Sequence, residues 1–348
     1  MPETDRPRTD RPLVISAPAP RTLDLIFTPD ALERLHRRYR VIEADPENIA
    51  GLGSAVLSEA RYIVGQPPLS ADTLERMPRL RAVLNVESNL IDNMPYDVVF
   101  RRGIHVLTTG QVFAEPVAEM GLAMALNLAR GIVDADVDFR EGRERWGGEG
   151  NKSARLLSGS EIGIIGFGDL GKALNRVLSG FRAKIRVHDP WLPASVLLDA
   201  GVEPASLETV LAESDFLFVV AAVTSDNEGF LGAKAFAAMR PGAAFILLSR
   251  AGVVDFDALI AAVESGHIRA ASDVFPEEPL PLGHPVRRLP GFLRSAHRAG
   301  ALDIAFKRMG EMVLEDMELM DRSLPPMRCK RAERETVARM RSKPVTVN

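Results

Sequence analysis

The sequence predicts an α/β fold made of two parallel-sheet units. Short apolar runs of strand length alternate with helical patterns over residues 13–109, and the same alternation starts again at residue 161. Within that second series a strand runs straight into a glycine-rich turn and a helix, at residues 161–172. A chain of 348 residues has room for two domains of ordinary size.

In the first series LVIS, YRVIEA, RYIVG, LRAVLNV and IHVLTT are rich in β-branched and aliphatic residues and read as strands, with a helix over Pro29–Arg38. Residues 116–130 form the next helix. Met120, Ala123, Met124, Leu126 and Leu128 give it an apolar face so broad that burial nearly all round is expected. Glu119, Asn127 and Arg130 interrupt the stretch and would be expensive in hydrocarbon, so no membrane span is expected.

Residues 140–158 are polar, with Trp146 the one large hydrophobe before Leu156, as in a connecting segment. The second series places strands at residues 161–166, 184–188, 215–223, 243–248, 269–273 and 291–296. Helical stretches lie between the earlier ones, and such alternation implies a parallel, doubly wound sheet. After Leu302 the run DIAFKRMGEMVLEDMELM is helical, ends before Pro325 and Pro326, and is expected to fold back onto the N-terminal domain.

Both ends read as disordered. Residues 1–12, MPETDRPRTDRP, are charged and proline-rich, without the apolar core of a signal peptide. From Arg322 onward there are eight Lys or Arg against two Glu, and residues 326–348 read as a basic, mobile tail.

The net charge of −4 lacks the positive footprint of a nucleic-acid-binding domain, which favours a small-molecule partner. Cys329 is the single cysteine, so no internal disulfide can form, no C-x-x-C metal motif exists, and a reducing, cytoplasmic setting fits.

The run EIGIIGFGDLGK is a strand, G-x-G-x-x-G and a helix in the order that dinucleotide binding requires. Gly166 would allow the tight turn, Gly168 the approach of a pyrophosphate, and Gly171 close packing of helix on sheet, with Asp169 and Leu170 lining the crossing. The next strand, KIRVH, ends at Asp189, 18 residues past Gly171, where a carboxylate can accept from the adenosine ribose hydroxyls and repel a 2′-phosphate. NAD is therefore expected over NADP; the competing reading is a glycine turn in an unrelated α/β protein, with Asp189 a helix cap before Pro190.

Ligands of a doubly wound sheet bind beyond the carboxyl ends of its strands. Arg250 follows AAFILL, Asp273 closes RAAS, His297 follows GFLRSA, and Glu278 lies five residues past Asp273. Taken singly, each has an ordinary reading: a surface ion pair for Glu278, a cap or salt bridge for Arg250, a satisfied core histidine at 297. His284 competes with His297 but precedes its strand, and His36, His105, His188 and His267 read as structural.

At GFGDLG, HDP, LLSRAGVVDFDAL, SDVFPEEPLP and SAHRAGA, with PVAE at 116–119, the chain resembles the D-2-hydroxyacid dehydrogenase family over about residues 60–305. The resemblance implies a Rossmann NAD domain of residues 117–300 inserted in a smaller flavodoxin-like substrate domain of residues 13–116 and 301–325, in a homodimer. It implies hydride transfer between nicotinamide and C2 of a small 2-hydroxy or 2-keto acid of the D series. His297 would be the acid and base, Glu278 its ring partner, and Arg250 the group that polarises the carbonyl and holds the substrate carboxylate. Asp273 would contact the nicotinamide carboxamide, with Thr224, Ser249 and Gly300 completing the cofactor set, and no metal is implied.

The chain departs from the family where a glycine-rich loop usually holds the substrate carboxylate: here the segment is NVESNLID, with Glu87, Ser88 and Asn89 as the substrate-binding candidates. Glu87 there would repel an anion unless it turns away or pairs with a cation. Leu247, Ala251 and Ala296 stand where the family usually has Asn, Gly and Pro. None of these removes a proton-transfer group, so altered substrate shape is expected, with a phosphonate-bearing or bulky acid as alternatives.

Other classes fit less well. Tyr39, Tyr62 and Tyr96 are followed four residues on by Glu43, Gln66 and Phe100, so the Tyr-x-x-x-Lys of short-chain dehydrogenases is absent. The L-lactate and malate type opens with its dinucleotide fold, whereas here a whole α/β segment precedes Gly166. The resembled family also includes corepressors that bind NAD and act by recruiting partners, which leaves an NAD(H) sensor or scaffold as the alternative to an enzyme.

Overall fold

Strands with little polar surface on either face need a helical layer on both sides, and both series of strands meet that need. The structure, a computed structural model, describes residues 11–339 apart from Ser88 and Ser225. It divides into two units, one running to Phe113 and resuming at Leu302, the other Ala114–Ala301. The breaks thus fall at Phe113 and Ala301, against residues 116 and 300 in the sequence reading.

The first unit contains β1 (Leu13–Ala17), β2 (Arg40–Glu43), β3 (Ala60–Gly65), β4 (Ala82–Asn85) and β5 (His105–Thr108). The second contains β6 (Glu161–Ile165), β7 (Lys184–His188), β8 (Glu203–Pro204), β9 (Phe216–Val219), β10 (Ala244–Leu247), β11 (Arg269–Ser272) and β12 (Phe292–Arg294). A last short strand, β13 (Lys330–Arg331), belongs to the first unit.

In the first unit the sheet order is β13-β5-β4-β3-β1-β2, with every pair parallel except β13 on β5. Helix Pro29–Arg38 starts where Thr28 Oγ1 accepts from Ala31 N and Pro29 presets the first turn, and it buries Ala31 and Leu35. Helix Asp303–Asp321 places Met309, Val313, Met317 and Met320 in the same core as Val14, Tyr62 and Leu84. Its Gly310 is required: a Cβ there would lie 2.5 Å from the Ile26 carbonyl oxygen, where helix Leu23–Ile26 crosses.

The expected mobile tail is corrected for residues 326–339. Asp316, fully buried, accepts from Met327 N and Arg328 N on Oδ1 and from Cys329 N on Oδ2, at 2.7, 2.9 and 2.8 Å. A desolvated carboxylate needs such donors, and they hold the chain where β13 pairs with Leu107 and Thr108. Residues 1–10 of the expected leader and 340–348 of the tail lie outside the described residues; Pro12 already meets the sheet, its carbonyl accepting from Arg40 N.

The second unit has sheet order β12-β11-β10-β9-β6-β7-β8, all parallel, and because the chain runs from β6 outward to β8 and then returns to place β9 on the other side of β6, the topological switch lies between β6 and β9. Helix Ala114–Arg130 packs on helix Asp169–Leu178 and on β10 and β11. By length and composition residues 110–130 could cross a membrane, yet half of that stretch is buried in the protein. Within the single chain Val117, Gly121, Met124 and Leu128 are buried while Glu119 and Ala123 are exposed, so the helix turns one apolar face toward the sheet of its own unit.

Candidate active site

The carboxyl end of β6 makes the glycine turn. Gly166 has φ +91°, and a Cβ on it would come within 2.7 Å of Ala221 Cα, so only glycine fits between β6 and the segment after β9. A Cβ on Gly171 would sit 2.5 Å from the Gly166 carbonyl oxygen. Gly168, in contrast, faces open space and is the N-cap of helix Asp169–Leu178 without a side-chain acceptor, so that helix start is shaped for an anion.

Asp189 closes the other side of the turn. Its Oδ2 accepts from Phe167 N at 2.7 Å and its Oδ1 from Trp191 N at 3.0 Å. Each carboxylate oxygen has a second lone pair, which is what a ribose hydroxyl requires. The open glycine cradle and the acid beside it fit a dinucleotide without a 2′-phosphate; Asp169 and Leu170 form the first turn of the helix, as the sequence spacing predicts.

Four further side chains gather at the carboxyl ends of β10, β11 and β12. Beyond β10, Ser249 is buried and Arg250 Nη1 donates to its carbonyl at 2.8 Å. Beyond β11, the Asp273 carboxylate is buried and accepts from Arg298 N and Ala299 N, both at 3.0 Å. Beyond β12, His297 has φ +49°, and its backbone N–H donates to the Asp273 carbonyl at 2.7 Å.

The His297 imidazole and Glu278 form a close pair. Nδ1 lies 2.6 Å from Glu278 Oε2, while Oε1 accepts from Phe275 N at 2.9 Å. Burial works against the Glu278 charge, but the hydrogen bonds from His297 and Phe275 and the charges of His297 and Arg250 outweigh it, so its carboxyl titrates below the ordinary range. An ionised Glu278 can only accept, which places a proton on Nδ1 and leaves Nε2 as the ring atom that exchanges one.

The structure therefore brings together Arg250, Asp273, Glu278 and His297 in one unit, at the same end of the sheet as the glycine turn. His284 is elsewhere employed: its Nδ1 accepts from Val286 N and caps a short 3₁₀ turn. Asp273 accepts one amide of the His297 turn on each carboxylate oxygen, which braces that turn and leaves each oxygen a second lone pair. Sequence reading missed that bracing, because it joins residues 25 and 26 positions apart. Thr224 is buried and its N–H donates to Asn227 Oδ1, Gly300 lies in the turn that ends with Ala301 N on the Arg298 carbonyl, and Leu247 is packed in the core at the end of β10.

In the first unit the segment after β4 is held by Asn85, whose Nδ2 donates to Asn89 O at 2.9 Å and whose Oδ1 accepts from Glu87 N at 2.7 Å. The Glu87 carboxylate is paired with Arg21, at 3.2 Å, so its charge is met by a cation. Ser88 lies outside the described residues. Arg21 was not among the sequence-derived candidates; its position just past the carboxyl end of β1 was the available signal.

Comparison with known proteins follows the same lines. Residues 122–299 match the family model described as D-isomer specific 2-hydroxyacid dehydrogenase, NAD binding domain. A glyoxylate reductase of Aeropyrum pernix is 31% identical over 298 residues, covering 83% of this chain and 89% of that protein. A crystal structure described as a phosphoglycerate oxidoreductase from Rhizobium etli superposes with a TM-score of 0.88 at 76% identity, over 93% of this chain and 99% of that one. The apo D-mandelate dehydrogenase of Rhodotorula graminis shares the fold, with a TM-score of 0.78 at 21% identity, over 92% of this chain and 97% of that one.

Proposed function

The chain belongs to the D-isomer specific 2-hydroxyacid dehydrogenase family, NAD-dependent oxidoreductases acting on CH–OH donors, and on that premise we propose how its own residues perform the reaction on a small 2-hydroxy or 2-keto acid. The observation that carries the reading is the 2.6 Å pair of His297 and Glu278, with the Arg250 charge acting on the same carboxylate.

Bound NAD supplies or accepts the hydride at the substrate's C2. The turn at Gly166, Gly168 and Gly171 would hold its pyrophosphate and Asp189 its adenosine ribose. His297 Nε2 gives a proton to the carbonyl oxygen during reduction and takes it back during oxidation. Glu278 fixes the ring tautomer and stays ionised beside the imidazolium, while Asp273 sets the ring's position by bracing its turn. The Arg250 fork takes the substrate carboxylate and polarises the carbonyl, which favours the charge that develops on oxygen.

The protein acts in the cytoplasm as a homodimer. Ile132, Val133, Val137 and Phe139 are exposed along helix Ile132–Arg140, and Trp146 stacks edge-on against Phe139 while itself 74% exposed, an apolar face that a second copy would cover.

The test is NADH consumption with glyoxylate, hydroxypyruvate, bulkier 2-keto acids and phosphonate-bearing analogues, for the wild type and His297→Ala. Turnover that collapses in the variant supports the reading. Tight NADH binding with no turnover on any acid would replace it with an NAD(H) sensor.

A further inference from the structure

The order β12-β11-β10-β9-β6-β7-β8 sorts the groups beyond the carboxyl ends of the second unit's sheet about its switch. Arg250, Asp273, Glu278 and His297 follow β10, β11 and β12 on one side, and Asp189 follows β7 on the other. A dinucleotide whose pyrophosphate rests on the glycine turn between them directs its nicotinamide to the first group and its adenosine to the second. Adenine is joined directly to the ribose, so its surroundings are set by the residues that follow Asp189, namely Pro190, Trp191 and Leu192.

Trp191 differs from a stray surface hydrophobe in how it is held. Its backbone N–H donates to Asp189 Oδ1 at 3.0 Å, while Oδ2 of the same carboxylate accepts from Phe167 N at 2.7 Å and Gly166 N donates to the His188 carbonyl at 2.9 Å. Helix Ala194–Asp199 begins three residues on and is anchored by the buried Leu197. The backbone that carries the indole is thus tied on both sides, to the glycine turn and to a helix, yet 51% of the residue is exposed. Leaving that much of a large apolar side chain in water forgoes most of its burial energy. A flat π face fixed beside a ribose site suits adenine, an uncharged aromatic base that needs a stacking surface more than it needs ions.

We propose that Trp191 is the adenine-stacking residue of this chain: its indole packs on the base of bound NAD, so that Asp189 reads the 2′ position and Trp191 the base beyond it. The inference rests on the reading above in which Asp189 takes the adenosine ribose, and deepens it. Because adenine is remote from the substrate's C2, stacking stabilises the ground state and the transition state of hydride transfer alike. Its loss therefore raises KM for NADH and does not enter the chemical step.

The chain has two tryptophans, and the other, Trp146, lies edge-on against Phe139 in the exposed apolar face of the same unit. In Trp146→Phe every indole signal comes from Trp191. Titration of that variant with ADP-ribose, AMP and nicotinamide mononucleotide is expected to quench the emission saturably with the two adenine compounds and to leave it unchanged with the third. Calorimetry is expected to show ADP-ribose bound about tenfold more weakly by Trp191→Ala than by the wild type, with Trp191→Phe in between because it keeps a ring. Quenching by nicotinamide mononucleotide equal to that by ADP-ribose, or an unchanged ADP-ribose affinity in Trp191→Ala, would overturn the proposal. A smaller oligomer in Trp191→Ala with that affinity unchanged would assign the indole to a contact between copies instead. The quenching is read on the native Trp191, so it decides the matter even where Trp191→Ala fails to fold.

ADP-ribose lacks nicotinamide and cannot undergo hydride transfer, which separates this inference from the dehydrogenase reading. Quenching and ring-dependent affinity, with no turnover of any 2-keto acid by the wild type, keep the adenine site and remove the reaction. Turnover with NADH, with ADP-ribose affinity unaltered in Trp191→Ala, does the reverse.

Discussion

The His297 backbone N–H donates to the Asp273 carbonyl at 2.7 Å, and the Asp273 carboxylate receives the next two amides, so one buried acid holds the left-handed turn that displays the imidazole. Because a histidine at φ +49° has no glycine's freedom, the turn depends on those bonds for its shape.

Asp273→Asn tests this brace. The amide would set an NH₂ group against a backbone N–H, leaving a buried donor without an acceptor at a cost of about 1–3 kcal/mol. The expected result is a lower thermal midpoint together with a kcat about 10- to 100-fold down, since a misaimed acid loses part of the gain of positioned proton transfer. If the residue served only the nicotinamide carboxamide, the variant would instead raise KM for NADH and spare kcat.

Glu278 carries a pH dependence whose sign follows from its depressed pKa. Its ordinary value is 4.5 and the folded value lies lower, so its stabilising contribution is complete above about 4.5 and fades as pH falls through the folded value. Near neutrality acidification therefore leaves this pair intact. Urea titrations from pH 7 downward are expected to show the Glu278→Gln variant losing less stability than the wild type below about pH 4.5, and at pH 7 its kcat should be about 100-fold lower because the ring tautomer is no longer fixed by a charge. Parallel stability curves for the two proteins at every pH would refute the coupling.

What was legible in the sequence is what local chemistry dictates. β6, β7 and the glycine turn could be placed because strand length, φ > 0 at Gly166 and the Asp189 spacing are each enforced within about 30 residues. β8 and β13 were missed: each is two residues long, and Lys330–Arg331 carries no alternation or β-branching to mark it. The docked tail was read as solvated because its charge is visible locally, whereas the buried Asp316 that holds it lies 11 to 13 residues earlier on a helix. Likewise Glu87 was recognised as an oddity, but its partner is 66 residues away and only the sheet order β4-β3-β1 brings the two together.

Asp189 sets cofactor choice. Replacing it with Ser keeps an acceptor for Trp191 N but removes the charge that opposes a 2′-phosphate. Asp189→Ser is expected to weaken NADH about tenfold and to bring NADPH within reach of it, since one charged hydrogen-bond partner is worth about that much. Fluorescence titration with both cofactors measures it; an unchanged NADH to NADPH ratio would show that the acid only shapes the loop through Phe167 N.

Asp316 and Cys329 allow the tail to be followed directly. The Cys329 thiol is buried, and its pKa is pushed up by that burial and by the charge of Asp316, so at neutral pH it is a protonated, unreactive group. Asp316→Asn would leave at least one of the amides of Met327, Arg328 and Cys329 unpaired, at about 1–3 kcal/mol for each, and both the neutral side chain and the loosened turn make the thiol easier to ionise and reach. Iodoacetamide labelling of the single cysteine should accelerate at least tenfold in the variant, the ratio that about 1.4 kcal/mol of lost protection produces when opening limits reaction. Hydrogen exchange at residues 327–331 should rise with it, while β6 and β9 in the second unit keep their protection. Equal labelling rates in the two proteins would mean that β13 is held by its pairing with Leu107 and Thr108 alone, with Asp316 contributing nothing to the latch.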